Sequence, residues 1–302
     1  MIGANELKEK EKAMKKADKI TTLSFTRWKA DWLQATPMYE QAATTFKLGK
    51  HYEKAMEAFE KAATGQERLG SPFSAAKHME SAGMMAKEAH QWTSAAASYS
   101  RACELYLEAG RPQPASDALF KGARAVEDHL PEEALRMYTE AISMCEEEGR
   151  EQNAGDVFRA AVSLYLKLER WNDGATMLLR QGLAFDSSKG KQSQCKAYAS
   201  AVIVYLYAED VKQAEKCYND CSEVEAFGNS EQGEFTRKLL QAYRDGDGEE
   251  VKYVISKSKN IVDQLDHMII RLANKLPTGG MKAIAGTSSA AAHDELDPDD
   301  LT

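Results

Sequence analysis

Along most of this 302-residue chain one triplet returns about every twenty residues: Ala, a bulky side chain four later, then Ala or Gly three after that. It reads Ala35-Tyr39-Ala42, Ala55-Phe59-Ala62, Ala75-Met79-Ala82, Ala95-Tyr99-Ala102 and Ala115-Leu119-Gly122. It continues as Ala134-Tyr138-Ala141, Ala154-Phe158-Ala161 and Ala175-Leu179-Gly182, degrades at Cys195-Ala199-Val202, and closes at Ala214-Tyr218-Cys221. Offsets of four and seven fall on one stripe of an α-helix, whereas a strand would split them between its two faces. Small residues at two of the positions let neighbouring helix axes come close, and the large one fills the gap between them. One unit is therefore a helix of about four turns plus a short turn. An aromatic stands three residues before the first Ala in several units, at Trp32, Tyr52 and Trp92, and Trp171 stands four before its Ala.

Turn signals separate the copies at Gly49-Lys50, Leu69-Gly70-Ser71-Pro72, Ala109-Gly110-Arg111-Pro112, Leu130-Pro131 and Glu148-Gly149. Gly closing one helix and Pro opening the next is the expected asymmetry. Two such helices make a hairpin of about forty residues, of the tetratricopeptide class with longer helices. The expected fold is all-α: a right-handed superhelical TPR-like α-solenoid of antiparallel helix hairpins with a C-terminal helical cap. The helical-repeat sheet is expected over residues 1–228. A helical bundle or cap should follow over 229–276, with stripes at Phe235, Leu239, Leu240 and Tyr243 and at Val251, Val254 and Ile255, then a last helix from Ile261 through Leu276. A Gly-, Ala- and Ser-rich acidic tail over 277–302 is expected to be disordered.

Hydrophobic residues make up 43% and charged residues 28%, which places the chain with globular proteins. Its formal net charge of -8 argues against wholesale nucleic-acid binding, which needs a basic face. Five cysteines, an odd number without framework spacing, point to a reducing compartment and to small core residues. No apolar run approaches the roughly 20 residues of a membrane helix, so a soluble, cytoplasmic protein is expected. The six histidines are scattered, no phosphate-binding Gly loop follows a strand, and Asp245, Asp247 and Glu249-Glu250 lack the closing Glu of a calcium loop. No catalytic residue, metal site, cofactor or small-molecule substrate is expected.

Two segments depart from a plain scaffold. Residues 20–28 carry Ile20, Leu23, Phe25 and Trp28 among Lys15, Lys16, Lys19, Arg27 and Lys29. Apolar side chains beside cations can dip into an anionic membrane surface, or they can pack on the first repeat; Leu23 and Phe25 are the better candidates for the membrane and Trp28 for packing. The acidic end Asp294–Thr302 holds a penultimate Leu301, either a solubilising tail or a peptide that docks on a basic groove.

Taken in order, Trp28-Lys29-Ala30-Asp31, Tyr39-Glu40-Gln41-Ala42-Ala43, Ser81 to Glu88 and Ala226-Phe227-Gly228-Asn229-Ser230-Glu231 resemble the soluble NSF attachment proteins, most of all the gamma type. Asp266 to Leu272 and the terminal Asp299-Asp300-Leu301 are closer to the alpha type. The resemblance implies a non-catalytic adaptor that coats assembled SNARE complexes (syntaxin-type four-helix bundles) and recruits the hexameric NSF ATPase for their disassembly in vesicle trafficking, peripherally associated with membranes. It implies that Leu301, with Asp300 and Asp299, stimulates the ATPase. Asp245, Asp247 and Glu249 would meet the ATPase from the cap, Leu23 and Phe25 would form a membrane loop, and Lys50, Lys87 and Arg111 would face the SNARE bundle. Asp117 and Asp156 stand where the alpha type has lysine. Other readings of the residues are a generic TPR-like peptide-binding scaffold or co-chaperone and a subunit of a large assembly.

Overall fold

The computed structural model describes residues 4–22, 30–186 and 190–277, and among them every regular element is helical. The chain divides into two compact units at Val157/Phe158.

Unit 1 holds α1 (Ala4–Thr21), α2 (Trp32–Leu48), α3 (Tyr52–Arg68), α4 (Pro72–Glu88), α5 (Trp92–Glu108), α6 (Pro112–Val126), α7 (Pro131–Glu147) and a 3-10 turn, Glu151–Ala154. The helix α8 (Gly155–Lys167) crosses the division. Trp32, Tyr52 and Trp92 are each the first residue of their helix. Every alanine of the repeated triplets is fully buried, at 0% exposure. Of the bulky partners, Tyr39, Phe59, Tyr99, Leu119, Tyr138 and Phe158 are buried with them, while Met79, Leu179 and Tyr218 are half-buried. Small against large is thus the rule for most of these helix-helix contacts.

The length of the repeat has a backbone cause. Helices α2, α3, α4, α5 and α7 each run 17 residues. Three residues join α2 to α3, α3 to α4, α4 to α5 and α5 to α6, and the middle one is left-handed: Lys50, Gly70, His90 and Gly110. The residue after each donates its amide to a carbonyl five back, as His51 to Phe46 at 2.9 Å and Arg111 to Tyr106 at 2.8 Å. This is the Schellman closure, and its last residue also serves as the next N-cap position. Gly149, Glu169 and Glu209 close later helices in the same way. At the first turn the left-handed residue is Lys50 and not Gly49, whose φ is -80°. A side chain in that conformation costs about 1 kcal/mol. Helix α6, of 15 residues, instead ends in the longer turn Glu127 to Leu130, and the triplet spacing shortens there between Ala115 and Ala134.

Successive helices run antiparallel. The Asp31 amide meets the Ile20 carbonyl at 3.1 Å, and Lys10 reaches Gln41. Alternate helices are also tied across about forty residues, the hairpin length. Glu40 accepts from His78 at 2.9 Å, Glu80 from Lys121 at 2.8 Å, and Glu67 from Arg101 at 2.8 Å. Unit 1 is therefore two layers, odd helices beside odd and even beside even.

Unit 2 is built round α10 (Lys191–Tyr207), flanked by α9 (Trp171–Asp186), α11 (Val211–Ser222), the short α12 (Glu225–Gly228), α13 (Glu231–Arg244) and α16 (His267–Ala273). From Ala197 to Leu206 every residue of α10 is buried, and a helix enclosed on all sides has no stripe to show. That is why the triplet degrades at Cys195-Ala199-Val202. Gly182 of α9 lies where an added Cβ would meet the Tyr198 ring of α10 at 2.2 Å. α14 (Gly248–Lys257) and α15 (Lys259–Val262) complete the unit. The expected last helix from Ile261 to Leu276 is in fact broken: Asp266 caps α16 by accepting the Met268 amide, which starts a new helix.

Candidate protein-interaction surfaces

Antiparallel packing sorts the turns of unit 1 between its two ends. The α2–α3, α4–α5 and α6–α7 turns share one end, and the α3–α4 and α5–α6 turns share the other. Lys50, in the α2–α3 turn, and Lys87, in the last turn of α4, lie at the first end, both exposed. Arg111, at the N-cap position of α6, is exposed at the opposite end. A helix of 17 residues is about 25 Å long, so the three cations form two separated sets and no single patch. Asp117 is exposed on α6 and accepts from Gln113 at 3.0 Å.

Beside Lys87 the structure adds a group that the pattern did not reveal. Trp92 opens α5 with the His129 ring stacked on it at 3.8 Å and 12°, and His90 meets its edge at 5.5 Å. The signal was available, for His90 and His129 each sit in a turn of the same parity, but only packing brings His129 back onto Trp92.

A polar junction fixes α1 to the sheet. Asp18 accepts from the Tyr39 hydroxyl at 2.8 Å and from Lys61 Nζ at 2.9 Å, and Thr21 lies 3.3 Å from the same hydroxyl. Burial, with Asp18 beside it, pushes the Tyr39 hydroxyl up to about 12. Burial pulls the Lys61 ammonium down, but Glu57 and Asp18 outweigh it and hold it above its ordinary value.

The acidic trio of unit 2 meets at the α13–α14 turn, around the left-handed Gly246. Asp245 accepts from Gln241 at 2.9 Å. Asp247 is the N-cap of α14, and its Oδ1 accepts the amides of Glu249 and Glu250, both at 3.0 Å. Glu249, in the first turn, pairs with Lys252 at 2.8 Å. All three carboxylates are exposed, with Asp247 and Glu249 near the positive end of a helix dipole, where anions are favoured. The segment is thus a capped helix start that also displays negative charge. Leu301, Asp300 and Asp299 of the tail, and Leu23 and Phe25 of the early loop, lie outside the described residues.

The five cysteines are all free and buried. Burial pushes the Cys103 thiol up to about 12, and a hydrogen bond with Cys221 together with burial raises that of Cys217. Such thiols are poor nucleophiles. Among the described residues no group of three His, Cys, Asp or Glu could hold a metal ion, and no helix is long and apolar enough to cross a membrane.

These features define an all-helical repeat protein whose exposed groups sit on turns and edges, the layout of an interaction scaffold. Residues 4–276 match the family described as "Soluble NSF attachment protein, SNAP", and the chain belongs to that family. It is 53% identical to the gamma-soluble NSF attachment protein of Arabidopsis thaliana over 97% of this chain and 98% of that one. The Dictyostelium discoideum protein of the same name is 28% identical, over 91% of this chain and 84% of its own. BtubC from P. vanneervenii, a solved structure, gives a TM-score of 0.39 at 16% identity over 76% of this chain and 94% of that one, too distant to argue from.

Proposed function

We propose that this chain is a non-catalytic adaptor that binds assembled SNARE bundles and recruits the hexameric NSF ATPase to take them apart in vesicle trafficking. The observation that carries the reading is the family match across residues 4–276, which takes in both units and every helix described above. The physics is compatible with it. A rod-like partner lying across the sheet would meet Lys50 and Lys87 at one end of the helices and Arg111 at the other. Exposed contacts of this kind are each worth little and weaken with salt. Several adaptor copies around one rod supply avidity, and a motor can still strip them off.

In this reading residues 1–228 are the repeat sheet, 229–276 the cap and 277–302 the tail. Asp245, Asp247 and Glu249 of the cap face basic surface on the ATPase. Leu301, with Asp299 and Asp300, is the tail contact that stimulates hydrolysis. Leu23 and Phe25 help hold the protein peripherally at the membrane, in the cytoplasm. The test is capture of an assembled SNARE bundle and the ATPase by the purified chain, with and without ATP. Capture of both, with release on ATP hydrolysis, is expected. Removing Leu301 and Thr302 should spare bundle binding and abolish stimulation. An intact chain that captures neither partner refutes the adaptor role, and full stimulation by the truncated chain refutes the tail assignment.

A further inference from the structure

We propose that the end of unit 1 formed by the start of α2 and the α3–α4 and α5–α6 turns is a ledge that rests on an anionic lipid surface. This deepens the membrane part of the reading above, and it uses only described residues, none of them in the 23–29 segment.

The first observation is where apolar surface is left uncovered. Among the described residues of unit 1, the exposed large apolar side chains are Leu33, Leu48, Leu69, Phe73, Met84 and Leu107. Four of them fall at this one end: Leu33 at 76% exposure, Leu69 at 41%, Phe73 at 38% and Leu107 at 48%. Leu33 and Phe73 are each the second residue of their helix, one hairpin length apart. Phe73 is held out at the edge by Tyr106, whose ring meets it at 5.5 Å while its own hydroxyl is engaged by Glu80 at 2.7 Å.

The second observation is charge. Lys15 and Lys16 lie in the last two turns of α1, whose C-terminal end is tied here by the Asp31–Ile20 backbone bond. Arg68 is exposed, with no carboxylate in pairing distance among the described residues. Lys77 sets its ammonium 4.6 Å from the Phe73 ring, so cation and apolar group share one spot. Three carboxylates of this end converge on one guanidinium: Arg101 lies 2.8 Å from Glu67, 2.7 Å from Glu104 and 3.7 Å from Glu108. Lys15, Lys16, Arg68 and Lys77, all exposed, pair with no carboxylate among the described residues and are left to face an outside anion.

Geometry selects the occupant. Neighbouring helix axes within a layer are about 9 Å apart, so α2, α4 and α6 in one layer and α3 and α5 in the other present their ends as a double row about 20 Å long. Leu33 lies in the first turn of α2, Leu69 and Phe73 flank the α3–α4 turn and Leu107 lies in the last turn of α5, so the apolar side chains are spread over several helix ends. A folded partner would need a distinct pocket for each. A lipid interface takes scattered apolar side chains to a depth of about 5–10 Å, with lysine and arginine at the level of its phosphates.

The experiment is flotation of the full chain with vesicles of phosphatidylcholine alone and of phosphatidylcholine mixed with phosphatidylserine. Leu69→Ser with Phe73→Ser should lower partition onto the mixed vesicles by tenfold or more, the loss expected when a large apolar side chain no longer leaves water. Arg68→Glu with Lys77→Glu should remove the preference for the mixed vesicles. Leu48→Ser, at the opposite end, should change nothing. Leu33→Ser and Leu107→Ser repeat the test at side chains with the least packing to disturb. Arg111 is left in place, so bundle capture by each variant reads the adaptor role separately. Parental flotation by the Leu69/Phe73 and Leu33/Leu107 variants at unchanged helix content overturns the ledge, and so does a dimer of the parent that these variants dissolve. A chain that captures bundle and ATPase without floating sinks the ledge alone, and one that floats without capturing sinks the adaptor alone.

Discussion

Replacing Gly122 with Ala tests the small-against-large rule at its tightest point. Gly122 is the third member of its triplet, on α6. A methyl added there would stand 2.3 Å from Met137 Cε, 2.6 Å from Tyr99 Cβ and 3.0 Å from Tyr99 Cγ. Ordinary carbon–carbon contact is about 3.5–4.0 Å. The methionine methyl is the far end of a flexible chain and can swing aside. Tyr99 Cβ is one bond from the α5 backbone and cannot, so α5 and α6 would have to part by about 1 Å. Overpacking of that kind costs about 1–3 kcal/mol. Alanine returns about 1 kcal/mol through its better helix propensity. A net loss of up to about 2 kcal/mol is expected.

Gly174, on α9, is the control. There the added methyl meets Leu166 Cδ2 at 3.1 Å and next Tyr165 Cβ at 3.5 Å. The closest atom is a side-chain tip that can give way, so the propensity gain should win and stability should rise by up to about 1 kcal/mol. Calorimetric melting of the full chain reads both. For units of this size each kcal/mol moves a melting temperature by about 2–4 °C. The Gly122→Ala transition of unit 1 should fall by up to about 8 °C, and the Gly174→Ala transition of unit 2 should rise slightly. A Gly122→Ala protein that melts above the parent, as Gly174→Ala should, would refute the close-approach argument.

The α13–α14 turn and the α1 junction give two further tests. Asp247→Ala removes the cap of α14 and should destabilise the chain by about 1 kcal/mol in denaturant unfolding, whereas Asp247→Asn keeps the cap and should be nearly neutral; equal losses would mean that charge and not capping matters there. At the junction, the Tyr39 hydroxyl is raised to about 12 in the folded chain against about 10 unfolded. Its neutral form therefore favours folding fully below pH 10, and that contribution is lost as pH rises through 12. Absorbance titration should show Tyr39, with Tyr106, Tyr138 and Tyr243, which burial also raises, ionising only as helix is lost. A single step near pH 10 covering all 12 tyrosines, with helix intact, would disprove the buried junction.

Much of this was legible beforehand. Ala35, Ala55 and Ala75 were readable as buried because a helical stripe is a local property, set by spacing along one element. The same holds for turn positions, although the three-residue connections that make the unit twenty long appear only in the structure. Reading failed where neighbours decide. Gly49-Lys50 was readable as a turn, but not that Lys50 takes its left-handed conformation, because closure depends on which amide reaches the Phe46 carbonyl. The break between α15 and α16 was hidden under continuous apolar residues, and only the Asp266 side chain marks it.

By itself, then, the sequence determined the helices of this protein, their stripes and the family they belong to, because each of these follows from residue order along one chain segment. The tertiary structure alone decided which distant residues share a surface. It set Lys50 and Lys87 at one end and Arg111 at the other, folded His129 onto Trp92, lined Leu33, Leu69, Phe73 and Leu107 along one edge, and enclosed α10 on every side. A periodic pattern says which face of a helix turns inward. Only packing against other helices says what stands beside it.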